Sequence, residues 1–124
     1  MARILIVDDE QPILNVLRLL VRSQGHDSVT CDDGRDALKL IDSDEPFDLM
    51  LSDLRMNPVN GMDLLRSVSQ KRPQLPVILV SAYLSEDNWK EAQSLGAFDC
   101  LSKPFRPDAL TAKITAALAR DKAS

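Results

Sequence analysis

The sequence predicts an α/β domain of five strand–helix units, (βα)5, doubly wound around a single parallel sheet. Short apolar runs alternate with amphipathic stretches along the whole chain, and within the runs successive residues, not every second one, are apolar. A strand that is apolar on both faces is buried on both, as a parallel strand is between two helical layers. Strict alternation sets the connections, with one helix after each strand.

The first strand is Arg3–Val7, broken at once by Asp8-Asp9-Glu10. Pro12 suits a first helical turn, and Ile13, Val16, Leu17 and Leu20 recur at helical spacing until Gly25, giving the expected buried face of helix one. Ser28–Cys31 is a short second strand, and Asp32-Asp33-Gly34 a turn before a helix marked by Ala37, Leu38 and Ile41. The third strand, Leu49–Leu51, ends at Ser52-Asp53. Its exit, Leu54 to Gly61, is a loop by its Pro, Asn and Gly content. Leu64, Leu65 and Val68 give the third helix, closed by Pro73. Val77–Val80 is the fourth strand, ending in Ser81-Ala82. Trp89, Ala92 and Leu95 mark a fourth helix stopped by Gly96, its apolar face diluted by Asn88, Gln93 and Ser94. Phe98–Leu101 is the fifth strand, ended by Lys103-Pro104, and Leu110, Ile114 and Leu118 form one face of the last helix. There is no internal repeat or linker, so residues 1–124 are read as one domain.

A chain of 124 residues with 44% hydrophobic and 27% charged residues has enough apolar surface for its own core. The net charge of -4, with no stripe of Lys and Arg, argues against direct nucleic-acid binding by this segment. No run approaches the ~20 apolar residues of a membrane span. The apolar run Ile4–Val7 is too short for a secretory signal. A cytoplasmic protein is therefore expected, with no membrane partner. Cys31 and Cys100 lack metal-site spacing and read as small buried hydrophobes.

Open parallel sheets bind ligands beyond the carboxyl ends of their strands. The polar residues there are Asp8 and Asp9 after strand one, Asp53 after strand three, Ser81 after strand four and Lys103 after strand five. A single polar residue at a strand end is usually a loop or cap residue; five with complementary chemistry point to a site. Carboxylates brought together repel, by ~4 kcal/mol for two unit charges about 4 Å apart at an effective dielectric near 20. Such a cluster calls for a cation, a raised pKa or both, and a few hard oxygen ligands suit Mg²⁺. A carboxylate is also a nucleophile toward a phosphoryl group. A metal, a lysine and a hydroxyl can then hold that group's oxygens.

Through "ILIVDDE", "DLMLSDLRM", "PVILVSA", "LGAFDCLSKPF" and the final helix, the chain resembles the receiver domains of bacterial two-component response regulators. The resemblance covers essentially the whole chain and implies a flavodoxin-like sheet of order 2-1-3-4-5. In that order strands two and five are opposite edges, about 19 Å apart, too far for a Cys31–Cys100 bond within one molecule. Carried over by motif position, Asp53 is the phosphoacceptor. Asp9 is the direct carboxylate ligand of Mg²⁺ (or Mn²⁺), and Asp8 acts mainly through water. Arg55 offers its backbone carbonyl to the metal, Ser81 its hydroxyl to the phosphoryl group and Lys103 its charge, with a cis Lys103–Pro104 bond. The implied partners are a sensor histidine kinase or histidine phosphotransfer protein as donor and an unknown downstream output. A phosphorylation-dependent homodimer through the fourth and fifth helices follows by analogy. The chain would assist its own phosphorylation and dephosphorylation without being a turnover enzyme.

Three positions depart from the family pattern. The switch aromatic of the family stands three residues before its lysine, where this chain has Cys100. Cys100 is too small to fill that space, so activation is expected to pass mainly through Ser81–Ser85 and the fourth helix. Phe98 and Tyr83 are read as packing residues rather than substitutes. Pro58 stands one residue later than in the family, after Met56-Asn57, so the loop bearing Arg55 is expected to be mobile or differently shaped. Arg55 and Tyr83 flank the expected path of attacking water. Two readings stand side by side there: they prolong the phosphorylated state, or they simply face solvent.

A phosphatase of the haloacid-dehalogenase type would need a carboxylate two residues after its Asp nucleophile, where Arg55 stands. A flavin binder of the same fold would place phosphate where Asp8-Asp9-Glu10 would repel it. The remaining alternative is a receiver-like protein-binding module that works without phosphorylation. Ser124 follows closely on the last helix. The segment is thus expected to be a single-domain regulator or the receiver of a longer chain, with a short polar tail over 120–124.

Overall fold

The computed structural model describes residues 1–120 and contains five parallel strands and five helices in alternation. The strands are β1 (Arg3–Val7), β2 (Asp27–Cys31), β3 (Leu49–Ser52), β4 (Val77–Ser81) and β5 (Asp99–Ser102). They pair in the order β2-β1-β3-β4-β5, as the resemblance implied. The helices are α1 (Gln11–Ser23), α2 (Gly34–Asp42), α3 (Gly61–Lys71), α4 (Glu86–Ser94) and α5 (Pro107–Leu118). Of the tail expected over 120–124, residues 121–124 lie outside the described residues.

Side chains alternate across the sheet, and each face has its own core. Leu5, Val7, Met50, Val77 and Leu79 point to one face, covered by α2, α3 and α4 through Ala37, Ile41, Leu64, Leu65, Val68 and Ala92. Ile4, Ile6, Leu49, Leu51, Ile78 and Val80 point to the other, covered by α1 and α5 through Leu14, Leu17, Val21, Leu110, Ile114 and Ala117. On α1 the buried positions are Leu14, Leu17 and Val21. Val16, expected on that face, is 44% exposed, because neighbouring helical residues are turned by about 100°. β5 begins at Asp99, not Phe98. The Phe98 N–H reaches the Val77 carbonyl, but register pairing starts with Asp99 opposite Ile78.

Local chemistry ends the helices where the sheet needs them to end. Gly25 and Gly96 take φ of 83° and 94° just after α1 and α4, a region that glycine enters without steric cost. Opposite the carboxyl edge, Arg72 donates to the carbonyls of Leu40, Ile41 and Ser43, satisfying the end of α2. Its guanidinium also lies 5.5 Å from the Phe47 ring, which Arg3 approaches to 5.2 Å. α3 opens with a reciprocal capping box: the Asn60 side chain accepts from Asp63 N–H, and the Asp63 side chain accepts from Asn60 N–H. Replacing Asn60 with Ala orphans one of those donors and should cost about 1 kcal/mol. Urea unfolding of the variant checks this, with the midpoint expected to fall and the denaturant slope to stay unchanged.

Candidate functional site

Parallel register brings the first two carboxylates together. Val7 on β1 lies opposite Ser52 on β3, so the next residues, Asp8 and Asp53, leave the sheet side by side. The sheet ladder holds both at their own amides: Asp8 N–H donates to Cys31 O at 3.1 Å, and Asp53 N–H to Val7 O at 3.0 Å. This is the switch point of strand order, where the chain turns one way to β2 and the other to β4. Asp8 is 1% exposed and Asp53 4%. Two buried like charges require an opposite one nearby.

Lys103 supplies it. Its Nζ donates to Asp8 Oδ2 at 2.7 Å and to Asp53 Oδ2 at 3.0 Å, and approaches Glu10 Oε1 at 3.3 Å. The lysine itself is anchored by its N–H to the Ser81 carbonyl at 3.0 Å, and the Lys103–Pro104 bond is cis. Burial works against the Lys103 ammonium, but the hydrogen bonds and charges of Asp8 and Asp53 outweigh it and raise its pKa. For Asp8, burial dominates and raises the carboxyl's pKa. The Lys103 and Glu10 N–H hydrogen bonds oppose that rise without cancelling it.

Asp8, Asp9, Glu10 and Asp53 each bring a carboxylate oxygen within 4.8 Å of the others. Asp9 and Glu10 are exposed, so the cluster is deep on one side and open to water on the other. Glu10 was not among the residues singled out from the sequence. The signal for it was its place directly after the acidic pair, but its reach toward Lys103 depends on how α1 begins. Glu10 is the N-cap of that helix, and its own N–H donates to Asp8 Oδ1 at 2.9 Å.

The β3–α3 loop is drawn tightly over the site. Arg55 N–H donates to Asp53 Oδ1 at 3.3 Å, and Gly61 N–H to Leu54 O at 2.9 Å. A Cβ on Gly61 would stand 2.1 Å from the Asp53 carbonyl oxygen, so only glycine allows α3 to begin there. Leu54 and Met56 are buried in the core, and the Asn57–Pro58 bond is cis.

Ser81 is fully buried at the end of β4, and its Oγ accepts from Tyr83 N–H at 3.1 Å. Cys100 lies half-buried on the α2–α3–α4 side of the sheet, at the opposite sheet edge from Cys31. Burial pushes both thiols up, Cys31 to about 11. Phe98 packs on the α1–α5 side as expected. Tyr83 does not pack in the core: it is 56% exposed, and the Arg55 guanidinium lies 4.3 Å from the centre of its ring. The two residues expected to flank the path of attacking water are thus paired with each other.

Comparison with known proteins agrees with this fold. Residues 4–115 match the family model of the response regulator receiver domain. The chain is 37% identical over 117 residues to the transcriptional regulatory protein GlrR of Escherichia coli, covering 94% of this chain and 26% of that protein. It is 34% identical over 122 residues to the response regulator SaeR of Staphylococcus aureus, covering 98% of this chain and 53% of that one. The chain therefore spans about a quarter to about half of these relatives. A response regulator receiver domain protein from Clostridium thermocellum superposes with a TM-score of 0.91 at 30% identity, over 99% of this chain and 98% of the other.

The shared cation gives a direct test by mutation. Lys103→Met leaves two buried carboxylates without their counter-charge and should lower stability in metal-free buffer by on the order of 3 kcal/mol. Adding Asp53→Asn removes one of the repelling charges and should return much of that loss in urea unfolding. A double variant no more stable than Lys103→Met would mean that the two carboxylates do not share the cation.

Proposed function

The chain belongs to the response regulator receiver family of two-component systems, and on that premise we propose that it takes a phosphoryl group onto Asp53. The observation that carries this reading is the hydrogen-bonded triple Asp8–Lys103–Asp53 at the switch point of the sheet. It supplies a buried nucleophilic carboxylate and a cation beside it, and the exposed carboxylates of Asp9 and Glu10 lie next to them.

A carboxylate oxygen of Asp53 attacks phosphorus of a phosphohistidine, the P–N bond breaks, and the imidazole leaves with the electron pair. A histidine kinase or histidine phosphotransfer protein is the donor class. Asp53 becomes an acyl phosphate, and the Lys103 ammonium follows the negative charge from carboxylate to phosphoryl oxygen. The Ser81 hydroxyl donates to another phosphoryl oxygen. The donor set fits a small hard cation, since four carboxylates converge with no sulfur or imidazole among them. Asp8, Asp9, Asp53 and the Arg55 backbone carbonyl would hold Mg²⁺ or Mn²⁺, which offsets charge on the phosphoryl group when bound. Attack of water on phosphorus later restores Asp53 and releases phosphate, so the domain cycles as a switch rather than turning over a substrate. The output is a downstream domain or protein. No helix among the described residues is long and apolar enough to cross a membrane.

Incubation with Mg²⁺ and acetyl phosphate, followed by intact-mass measurement, should give one phosphoryl adduct. Asp53→Asn should abolish it, and chelating the metal should suppress it. An adduct that survives Asp53→Asn would contradict the assignment. No adduct on the unmodified chain would favour a binding module that works without phosphorylation.

A further inference from the structure

Resting on that phosphoacceptor reading, we infer that Asn88 is the positioning residue that carries the state of Asp53 and Ser81 into α4, through Tyr83. Cys100 stands where the family's aromatic coupling residue would be, and it is too small for that task. The β4–α4 loop offers a different connection.

Two contacts converge on Tyr83 from the site. Its N–H donates to the Ser81 Oγ at 3.1 Å. Its ring stacks under the Arg55 guanidinium at 4.3 Å, and the Arg55 N–H in turn donates to Asp53 Oδ1 at 3.3 Å. Phosphorylation of Asp53 turns its carboxylate into an acyl phosphate, moves the negative charge onto the phosphoryl oxygens and weakens the acceptor of the Arg55 N–H. A Ser81 hydroxyl that turns toward a phosphoryl oxygen also leaves the axis of the Tyr83 N–H. Both changes bear on one residue.

One contact leads outward from it. Asn88 Nδ2 donates to the Tyr83 carbonyl at 2.7 Å. The same side chain accepts from Ser85 N–H through Oδ1 at 2.7 Å, while Asn88 N–H donates to Ser85 Oγ at 3.1 Å. A single amide therefore closes the capping box of α4 and grips the loop that reads the site. α4 is well suited to yield to such a pull. Its one fully buried residue is Ala92, so little apolar contact fixes the helix against the sheet. Trp89, the next residue, is the only tryptophan in the chain and packs half-buried against the core, which makes its emission a reporter of α4.

Asp at position 88 separates the two roles of the amide. Asn88→Asp keeps an acceptor for Ser85 N–H but has no donor for the Tyr83 carbonyl. Ser85→Ala does the reverse, losing the cap hydroxyl and keeping the bond to Tyr83. Wild type, Asn88→Asp and Ser85→Ala are treated with Mg²⁺ and acetyl phosphate, and each sample is read by intact mass and by Trp89 fluorescence. The adduct is expected in all three. A Trp89 emission change is expected in wild type and Ser85→Ala, and most of it should vanish in Asn88→Asp. A full Trp89 change in phosphorylated Asn88→Asp, or none in phosphorylated wild type, would overturn the coupling. Absence of adduct from wild type would instead overturn the phosphoacceptor reading, and the coupling with it.

Discussion

The Lys103 ammonium, held between Asp8 and Asp53, is the contact on which the carboxyl edge of this sheet depends. In-register pairing of β1 and β3 forces the two carboxylates out at neighbouring positions, and the surrounding core keeps them from water. Their repulsion is a consequence of the fold, so the fold must also deliver a cation. It comes from β5, two strand spacings from β3, about 10 Å away. Only a long side chain on a well-anchored backbone spans that gap. The Lys103 N–H to Ser81 carbonyl bond supplies the anchor and ties the cation to the residue bearing the buried hydroxyl.

The rest of the molecule divides into a braced pole and a responsive one. At the amino ends of the strands, Arg72 satisfies three carbonyls at the end of α2 and shares the Phe47 ring with Arg3. At the carboxyl ends, polar side chains bond to one another and to loop backbone. Gly61 lets α3 begin against the Asp53 carbonyl, so the loop that bears Arg55 is held to the nucleophile. In the β4–α4 loop, by contrast, Tyr83 is tied by one hydrogen bond to Ser81 and by one to Asn88, with its ring against Arg55. Bonds of that kind can exchange partners without disturbing the core.

The α/β class and the strand-end residues were legible in the sequence because they follow from periodicity, and the strand order came from the family resemblance. Runs apolar on both faces specify a parallel sheet between two helical layers, and the polar residue that ends each run falls at one edge whatever the loops do. Asp8, Asp53, Ser81 and Lys103 were found in that way. What stayed hidden depends on loop geometry and rotamers. Asn88 read as a residue diluting an apolar face, whereas it caps α4 and holds Tyr83. Tyr83 read as packing, because no periodicity distinguishes a ring turned to the core from one turned out onto Arg55. Val16 matched helical spacing but lay beyond the arc that α1 buries.

If Lys103 is the resting counter-charge of the carboxylates, a divalent cation entering the cluster must work against it. Isothermal titration of Mg²⁺ into wild type and Lys103→Met tests this most directly. The account predicts several-fold tighter Mg²⁺ binding by Lys103→Met, since removing a unit charge within a few ångströms relieves a repulsion worth more than 1 kcal/mol. Equal or weaker binding by the variant would contradict it.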